Sequence, residues 1–402
     1  MKSRFNLVAA GFALTALSYG LARFAYGLLL PAISADLSLS VTAAGWIGGS
    51  AFAAYCVGIV FAFVAGARLG ERGLTVLAGL VATSGIALVA VSTSAPMLGV
   101  AIALAGLSTG LTSPPLAAAV ARCLDDAARP KANGAINAGT AAGIIFSGLA
   151  VIAFASAWRE IYALFAVIGT VVTAWLWFAV PPKPAEAKKK SRHPVNLRRP
   201  GFYGLAASGF LMGASSTAIW TFGAQVLRTE FDFSDGRIAM AWIVLGAAGM
   251  AGAVTGLLTT RFGIAAVHRL ALLVMGVALV TLASAGVAPG LAFGAMGLFG
   301  VAYIVSTGVY LLWGIELFPD RPDLGLGLPF LMIALGQTAG APFFGALLDA
   351  AGGMAAVLTF AALTGVSAIW IPRVSPRSAK LTPPSGPTRL PTASDNGSTA
   401  AR

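Results

Sequence analysis

Long apolar runs separated by short polar segments extend from residue 7 to residue 371. A run of about 20 apolar residues is long enough for a helix to cross the roughly 30 Å hydrocarbon core of a bilayer. Twelve such runs occur, at about 7–30, 43–66, 74–93, 97–121, 133–155, 161–180, 201–226, 238–259, 266–287, 290–314, 325–348 and 353–371. The pattern predicts an all-α membrane protein with twelve transmembrane helices.

Composition and charge sharpen this picture. The chain is 58% hydrophobic and only 10% charged, which excludes an ordinary soluble protein. With the N-terminus inside, 22 of the 26 Lys and Arg residues lie on the inner side, and three, Arg159, Arg228 and Arg237, lie outside. This asymmetry predicts a multi-pass protein of the bacterial inner membrane with both termini in the cytoplasm. The net charge of +12 therefore reflects orientation, and we expect no nucleic-acid partner.

A Lys- and Pro-rich stretch without an apolar run divides the twelve runs six and six. We expect an N-terminal six-helix bundle over 1–180, a basic cytoplasmic linker over 181–200 and a C-terminal six-helix bundle over 201–371. Residues 372–402 turn to Pro, Ser, Thr and Gly, a composition that predicts a disordered cytoplasmic tail.

Glycines recur at matching places in the two halves. The loop after the second run has Gly66 and Gly73. The loop after the eighth run has Gly256 and Gly263, each 190 residues after its counterpart. The fifth run carries Gly139, Gly143 and Gly148, and the eleventh carries Gly336, Gly340 and Gly345, 197 residues later. Matches in corresponding runs predict a duplicated unit with pseudo-two-fold symmetry.

Six plus six spans, a basic central linker and these loops resemble the major facilitator superfamily over residues 1 to about 371. The resemblance implies a carrier in which two bundles rock about a central site. It also implies gating-loop roles for Gly66, Arg72, Gly73, Gly256, Arg261 and Gly263. The loops depart from the family pattern Gly-x3-Asp-Arg-x-Gly, because Gly70 and Glu71 replace Asp-Arg and Thr260 replaces the second acid. More narrowly, residues 20–31 are similar to the first span of the YbfB/YjiJ-like branch.

The first span contains a charge that no loop can accommodate. Arg23 lies 16 residues beyond Leu7, or about 24 Å along a helix. Tyr19 and Tyr26 share its face at helical spacing. An intramembrane Arg costs at least about 2.5–3.5 kcal/mol, so it normally faces protein or a cavity on a transport path. The competing interpretation is that it snorkels to the interface or binds carbonyls of a neighbouring helix.

In folds of this family the first, fourth, seventh and tenth spans border the cavity, and here these spans carry the polar side chains. The predicted substrate-binding residues are Arg23, Tyr19, Tyr26, Ser216, Trp220, Tyr303, Thr307 and Tyr310. Two deep amides, Asn137 and Gln337, fit either interhelical bonding or substrate binding. Ser and Thr of the fourth span are expected to pack.

Several chemistries find no support in the sequence. All 14 acidic residues fall in loops or near span ends, and both His residues, His193 and His268, are assigned to inner loops. Cys56 and Cys123 have no metal-site or disulfide spacing. We therefore expect no enzyme, no cofactor, no metal site and no buried proton relay.

Together these features predict a secondary active transporter that moves a small organic anion by alternating access. Arg23 would attract the anion, and the Tyr and Trp side chains would enclose its apolar part. The alternative is an efflux carrier for neutral compounds, such as a sugar or an apolar toxicant, in which Arg23 is structural. We expect a monomer in the bilayer, with a proton as the candidate coupling ion.

Overall fold

The computed structural model describes residues 2–155, 157–182 and 199–372, and the regular structure in these ranges is helical. Residues 183–198 of the predicted linker and 373–402 of the predicted tail lie outside the described residues.

The first half contains six α-helices and one π-helix within the described ranges. They are α1 (Lys2–Thr15), a π-helix (Ala16–Phe24), α2 (Ala25–Leu37), α3 (Val41–Ala90), α4 (Ala95–Cys123), α5 (Arg129–Phe154) and α6 (Trp158–Ala179). The Ser40 hydroxyl caps the start of α3 by accepting the Ala43 N–H at 3.1 Å. Helix α3 holds two spans, because Gly70 adopts φ 66° and ψ 179° and turns the chain back.

The second half follows after the linker. Its elements are α7 (Phe202–Trp220), α8 (Gly223–Thr229), α9 (Asp235–Gly249), a 3-10 helix (Met250–Val254), α10 (Thr255–Phe262), α11 (Ile264–Ala283), α12 (Gly290–Leu317) and α13 (Pro322–Ser367). Helix α13 also holds two spans, separated by Gly352 at φ 82°.

Ten helical stretches in the described ranges are long and apolar enough to cross a membrane. The difference from twelve arises at two places. The predicted eleventh and twelfth spans both lie in the stretch Leu324–Ser367, which counts once although Gly352 turns the chain within it. The predicted seventh span is divided between α7 and α8, because the N–H groups of Thr221 and Phe222 both donate to the Thr217 carbonyl and end the regular helix. Both regions are helical, as the apolar pattern predicts.

The matched glycines make matched contacts. A Cβ added to any of the six matched glycines in the fifth and eleventh spans would come within 1.9–3.0 Å of a backbone oxygen of a neighbouring helix, so only glycine permits these crossings. The pairs are Gly139 with Phe12 and Gly336 with Phe210, Gly143 with Ala16 and Gly340 with Ala214, and Gly148 with Ala239 and Gly345 with Val41. The partners are related by an offset of 198 residues (12 to 210, 16 to 214, 41 to 239). This is the pattern that a duplicated six-helix unit produces.

The same offset relates a motif that the sequence analysis missed. Ser108-Thr109-Gly110 on α4 recurs as Ser306-Thr307-Gly308 on α12, 198 residues later. A search for short identical segments, rather than for glycines alone, would have revealed this register.

Polar contacts mark one end of the molecule, which we call the basic face. Arg4 pairs with Asp125, Arg72 and Arg122 donate to carbonyls at Val180 and Pro181, and Arg199 pairs with Asp320. The other end, which we call the opposite face, carries the ion pair between Arg159 and Asp36.

Close backbone contacts between the two halves lie toward the opposite face. A Cβ at Gly27 would meet the Trp220 carbonyl at 2.0 Å, and one at Gly45 would meet the Ala341 carbonyl at 2.6 Å. Gly148 likewise packs on Ala239. The two halves are therefore closed against each other on that side of the molecule.

Candidate functional site

Arg23 lies in the π-helix of the first span. The Ala25 N–H donates to the Gly20 carbonyl in the i to i+5 pattern of such helices, which are frequent at functional sites. A Cβ at Gly20 would lie 2.4 Å from the Gly143 Cα, so this segment packs against α5 without any intervening side chain. Arg23 projects instead toward α3 and α13, where its partners lie.

The Arg23 guanidinium is buried, with 8% of the residue exposed. Its Nη2 donates to Gln337 Oε1 at 2.5 Å, and its Nε has no hydrogen-bond partner. Four aromatic rings surround it, with centroids 4.6–6.0 Å from Cζ: Phe52, Tyr55, Phe24 and Tyr19. Each desolvated cation–π contact contributes on the order of 2 kcal/mol. Among the described residues, no Asp or Glu forms an ion pair with Arg23.

Gln337 continues the network into the second half. Its Nε2 donates to Ser216 Oγ at 3.1 Å and to the Tyr303 hydroxyl at 3.3 Å. Ser216 in turn donates to the Gly213 carbonyl at 2.7 Å, so its oxygen is free to accept from the amide. The central cluster, by which we mean Arg23, Gln337, Ser216 and Tyr303, thus joins the first span to α13, α7 and α12.

An aromatic layer borders the central cluster. Phe24 of the first half stacks on Trp220 of the second half, with ring centroids 4.0 Å apart and planes at 26°. Trp220 also meets Tyr303 edge to face at 5.1 Å. Stacked and edge-to-face pairs of this kind stabilise beyond their buried area. This layer and the Gly27–Trp220 contact separate Arg23 from the opposite face.

Tyr19 lies on the side of Arg23 that is nearer the basic face. Tyr19 lies four residues closer to that face and is partly exposed. Its hydroxyl shares a 2.8 Å hydrogen bond with Ser113 Oγ of α4, and Ser113 is itself exposed. Two linked hydroxyls thus lie between the buried Arg23 and the basic face.

The structure brings five of the predicted binding residues together and separates three others. Arg23, Tyr19, Ser216, Trp220 and Tyr303 contact one another directly or through Gln337. The three that lie elsewhere are Tyr26, Thr307 and Tyr310.

These three side chains have other partners. The Tyr26 hydroxyl donates to the Ala44 carbonyl at 2.9 Å and not to the central cluster. Thr307 donates to its own helix at Ile304. Tyr310 lies about 10 Å along α12 from Tyr303, toward the basic face, and bonds to Ser208.

Phe52 and Tyr55 are not among the predicted site residues, and the sequence alone does not decide between bonding and binding for Gln337. Phe52 and Tyr55 are three residues apart on α3, so they share a face, but nothing in the sequence shows that this face meets Arg23. The other undecided amide, Asn137, is exposed on α5.

The assignment of His268 to an inner loop is wrong. This residue lies in α11 and is fully buried. Its Nε2 is 3.0 Å from the Trp370 carbonyl and 3.3 Å from Ser208 Oγ. A span boundary predicted at residue 266 left His268 at the edge of an apolar run, whereas α11 begins at Ile264 and covers it. His193 lies outside the described residues.

Three of the four predicted loop glycines, Gly66, Gly73 and Gly256, lie within helices, whereas Gly263 lies at a turn. The turn in the first half is made by Gly70, whereas Gly66 and Gly73 lie within helical segments of α3. In the second half Gly263 makes the turn with φ 80°, and Gly256 lies inside α10. The turns of these two loops are therefore at Gly70 and Gly263, because these are the glycines of the two loops that have a positive φ.

The arginines of these loops bind to neighbouring elements. Arg72 Nε donates to the Val180 carbonyl at 2.7 Å, tying the loop to the end of α6. Glu71 forms an ion pair with Arg122 of α4 at 3.5 Å. The Arg261 guanidinium lies over the Phe262 ring, 5.4 Å from its centroid.

Comparison with known proteins identifies the family. The pattern of the Major Facilitator Superfamily matches residues 12–328. The chain belongs to this superfamily. This confirms the superfamily predicted from the sequence.

Relatives in sequence are distant. The chain is 28% identical over 220 residues to the "Transcription regulatory protein OpdE" of Pseudomonas aeruginosa, covering 52% of this chain and 54% of that protein. It is 28% identical over 231 residues to the "Uncharacterized transporter YgaY" of Escherichia coli O157:H7, covering 53% of this chain and 56% of that protein. The matched region spans about half the length of these relatives.

Solved structures confirm the fold. The nucleoside transporter NupG (D323A mutant) superposes with a TM-score of 0.74 at 14% identity, covering 90% of this chain and 98% of that one. A D-xylose-proton symporter gives a TM-score of 0.73 at 14% identity, covering 92% and 98%. A bacterial homologue of the lysosomal transporter Spinster gives 0.72 at 15% identity, covering 93% and 99%. The predicted major facilitator fold is confirmed.

Proposed function

We propose that this protein is a secondary active transporter that carries a small organic anion by alternating access. The observation that carries the proposal is Arg23, a buried cation between the two halves whose Nε is unpaired and whose ion-pair partner is absent from the described residues. A desolvated guanidinium binds carboxylates strongly and with defined geometry, because its N–H groups form a rigid planar fork.

The surroundings of Arg23 favour an anion with an apolar or aromatic portion. The rings of Phe24, Phe52 and Tyr55 around Arg23, with Trp220 stacked on Phe24, offer apolar surface to such a solute. A cationic solute would meet a positive charge there without a compensating carboxylate, which opposes its binding.

The orientation follows from charge. We place the basic face in the cytoplasm of a bacterium, in agreement with the 22 Lys and Arg residues assigned to that side. The halves closed toward the opposite face then correspond to a state closed toward the outside of the cell. A reporter that is active only outside the membrane should be silent when fused at the C-terminus and active when inserted near Asp36. The reverse result would overturn the orientation.

The mechanism requires the two bundles, residues 1–180 and 201–371, to rock as units joined by the 181–200 linker. We infer that the chain is a monomer. We also infer, from the similarity of residues 20–31, that it belongs to the YbfB/YjiJ-like branch. Arg72, Arg261 and the turns at Gly70 and Gly263 lie where such rocking would change helix-end contacts.

A second candidate is an efflux carrier for neutral compounds, in which Arg23 is structural. The four ring faces and the Gln337 bond favour it, since they already stabilise the guanidinium. The two candidates differ in whether Arg23 increases the affinity of the protein for an added anion.

Ligand-induced thermal stabilisation of the purified protein separates the candidates, because a bound ligand stabilises by RT ln(1 + [L]/Kd). Organic acids, neutral sugars and cationic drugs are compared on wild type, Arg23→Gln and the control Arg237→Gln. Arg237 is exposed and outside the site. We expect acids to raise the melting temperature of wild type and Arg237→Gln only. Stabilisation by sugars that persists in Arg23→Gln would instead establish the neutral carrier.

A further inference from the structure

Gln337 occupies an unusual position in the network. It is fully buried on α13 of the second half, and its carbonyl oxygen accepts a hydrogen bond from a cation of the first half, 314 residues away. A carboxamide and a carboxylate have the same planar shape, with two polar atoms on one carbon. The Gln337 oxygen therefore sits where an oxygen of a substrate carboxylate would bind Arg23.

The guanidinium retains unused capacity beside this bond. Nε and Nη2 form one edge of the guanidinium and point their hydrogens in parallel, which suits the two oxygens of a carboxylate. Gln337 Oε1 takes only Nη2, and Nε stays buried without a partner. A carboxylate would bind both donors of this edge, whereas the amide oxygen binds one.

The other end of the amide is held within the second half. Nε2 donates to Ser216 and Tyr303, and the Ser216 hydroxyl donates its own hydrogen to the Gly213 carbonyl. Gln337 can thus lose Arg23 and keep its partners on α7 and α12. The residue that must accept from Arg23 and donate to Ser216 at once has to be an amide, which explains why Gln rather than Glu suits this position.

Resting on the proposed function, we propose that Gln337 is the specificity-determining residue of the site. Its carboxamide oxygen accepts the hydrogen bond from Arg23 where a substrate carboxylate would accept it. An anion that binds Arg23 displaces this oxygen. Because Arg23 and Gln337 belong to different halves, this exchange replaces a bond between the halves with a bond to the substrate. Binding and the release of the halves are coupled at one pair of side chains.

The test uses acetate, the smallest simple carboxylate with a methyl group, and acetamide, its neutral counterpart of the same shape. Binding is measured by thermal shift and calorimetry on the full-length protein. Gln337→Ala removes the internal competitor and opens space for acetate beside Arg23. We expect acetate to bind this variant at least about tenfold more tightly than wild type, with no gain for acetamide, since a bond to a charged group must be displaced only in wild type. The control Asn137→Ala alters an exposed amide on α5, the helix that matches α13, and should leave acetate binding unchanged.

Gln337→Glu supplies the opposite outcome and guards against a poorly folded alanine variant. An internal carboxylate should pair with Arg23, raise the melting temperature and abolish acetate binding. A Gln337 that merely contacts substrate would instead show weaker acetate binding in Gln337→Ala. Equal acetate binding in wild type and Gln337→Ala, or no acetate binding in both proteins, would refute the exchange.

The outcome for Gln337 is separable from that for the proposed function. Stabilisation of wild type by organic acids, together with unchanged acetate affinity in Gln337→Ala, would retain the anion carrier and reject the role of Gln337. Loss of acid binding in every variant, with sugars still binding Arg23→Gln, would reject the anion carrier itself.

Discussion

Two buried polar clusters lie at different places in this protein, and they differ in what they join. The central cluster links Arg23 of the first half to Gln337, Ser216 and Tyr303 of the second. The other, which we call the His268 cluster, consists of Ser208, His268 and Tyr310 with the carbonyls of Ser367 and Trp370. All of its members belong to α7, α11, α12, the end of α13 and the residues just after it, within one half.

The composition of the clusters also differs. The His268 cluster contains no Arg, Lys, Asp or Glu, and the Ser208 oxygen lies 2.7 Å from both the Tyr310 hydroxyl and the Ser367 carbonyl. The central cluster has a full charge and an unpaired donor at Arg23 Nε. A bond inside one rigid half has the same value in every state of the carrier. A bond between halves differs from state to state, so only the central cluster can couple binding to motion.

The largest expected effect breaks the central cluster at its charge. Arg23→Gln should reduce affinity for the most strongly stabilising organic acid at least about a hundredfold, since removing one side of a buried charge pair costs about 3–5 kcal/mol. Arg23→Lys should restore part of the binding, because charge returns without the planar fork. Calorimetric titration measures both. Equal affinity in wild type and a well-folded Arg23→Gln would show that Arg23 is structural.

A second prediction tests whether the two halves are built alike beneath the clusters. Gly143→Ala and Gly340→Ala each bring a Cβ to about the same distance from a carbonyl, 2.4 Å at Ala16 and 2.5 Å at Ala214. Each should lower unfolding stability by about 1–3 kcal/mol through overpacking. The control is Gly134→Ala, where a Cβ meets nothing within 4 Å. Thermal unfolding of the three variants in detergent gives the comparison, and a large loss at only one of the matched glycines would contradict equivalent packing.

The His268 cluster should affect stability without affecting binding. Ser208→Ala removes the hydroxyl that lies between Tyr310, His268 and the Ser367 carbonyl. Leaving buried polar groups unsatisfied costs about 1–3 kcal/mol, so the melting temperature should fall while acid affinity stays within twofold of wild type. An affinity loss comparable to that of Arg23→Gln would mean that the His268 cluster belongs to the transport path.

The smallest expected effect concerns the rings around Arg23. Phe52→Leu keeps an apolar side chain but removes the ring face 4.6 Å from the guanidinium. Losing one cation–π contact should cost about 0.5–2 kcal/mol of stability. The matched control is Phe63→Leu on the same helix, where the side chain is exposed. An equal change in melting temperature for the two variants would show that the rings do not stabilise Arg23.

The sequence alone determined the helical class, the division into halves and the presence of a charge inside the first span. These properties are local, because a run of about 20 apolar residues spans a bilayer whatever its neighbours are. The matched glycines also predicted close helix crossings, since a missing side chain is visible without knowing which helix approaches. Arg23 was recognisable for the same reason: an isolated charge in an apolar run is a feature of composition.

Only the tertiary structure decided what surrounds that charge. Phe52, Tyr55 and Gln337 lie 29, 32 and 314 positions from Arg23 in the chain, and no periodicity within a span reports which face of another helix it meets. The Tyr26 hydroxyl bonds to Ala44 instead of the central cluster, and the length of α12 separated Tyr310 from Tyr303. Helical spacing describes faces of one helix, whereas a binding site forms from the packing of several, and that packing is set by contacts distributed over the whole chain.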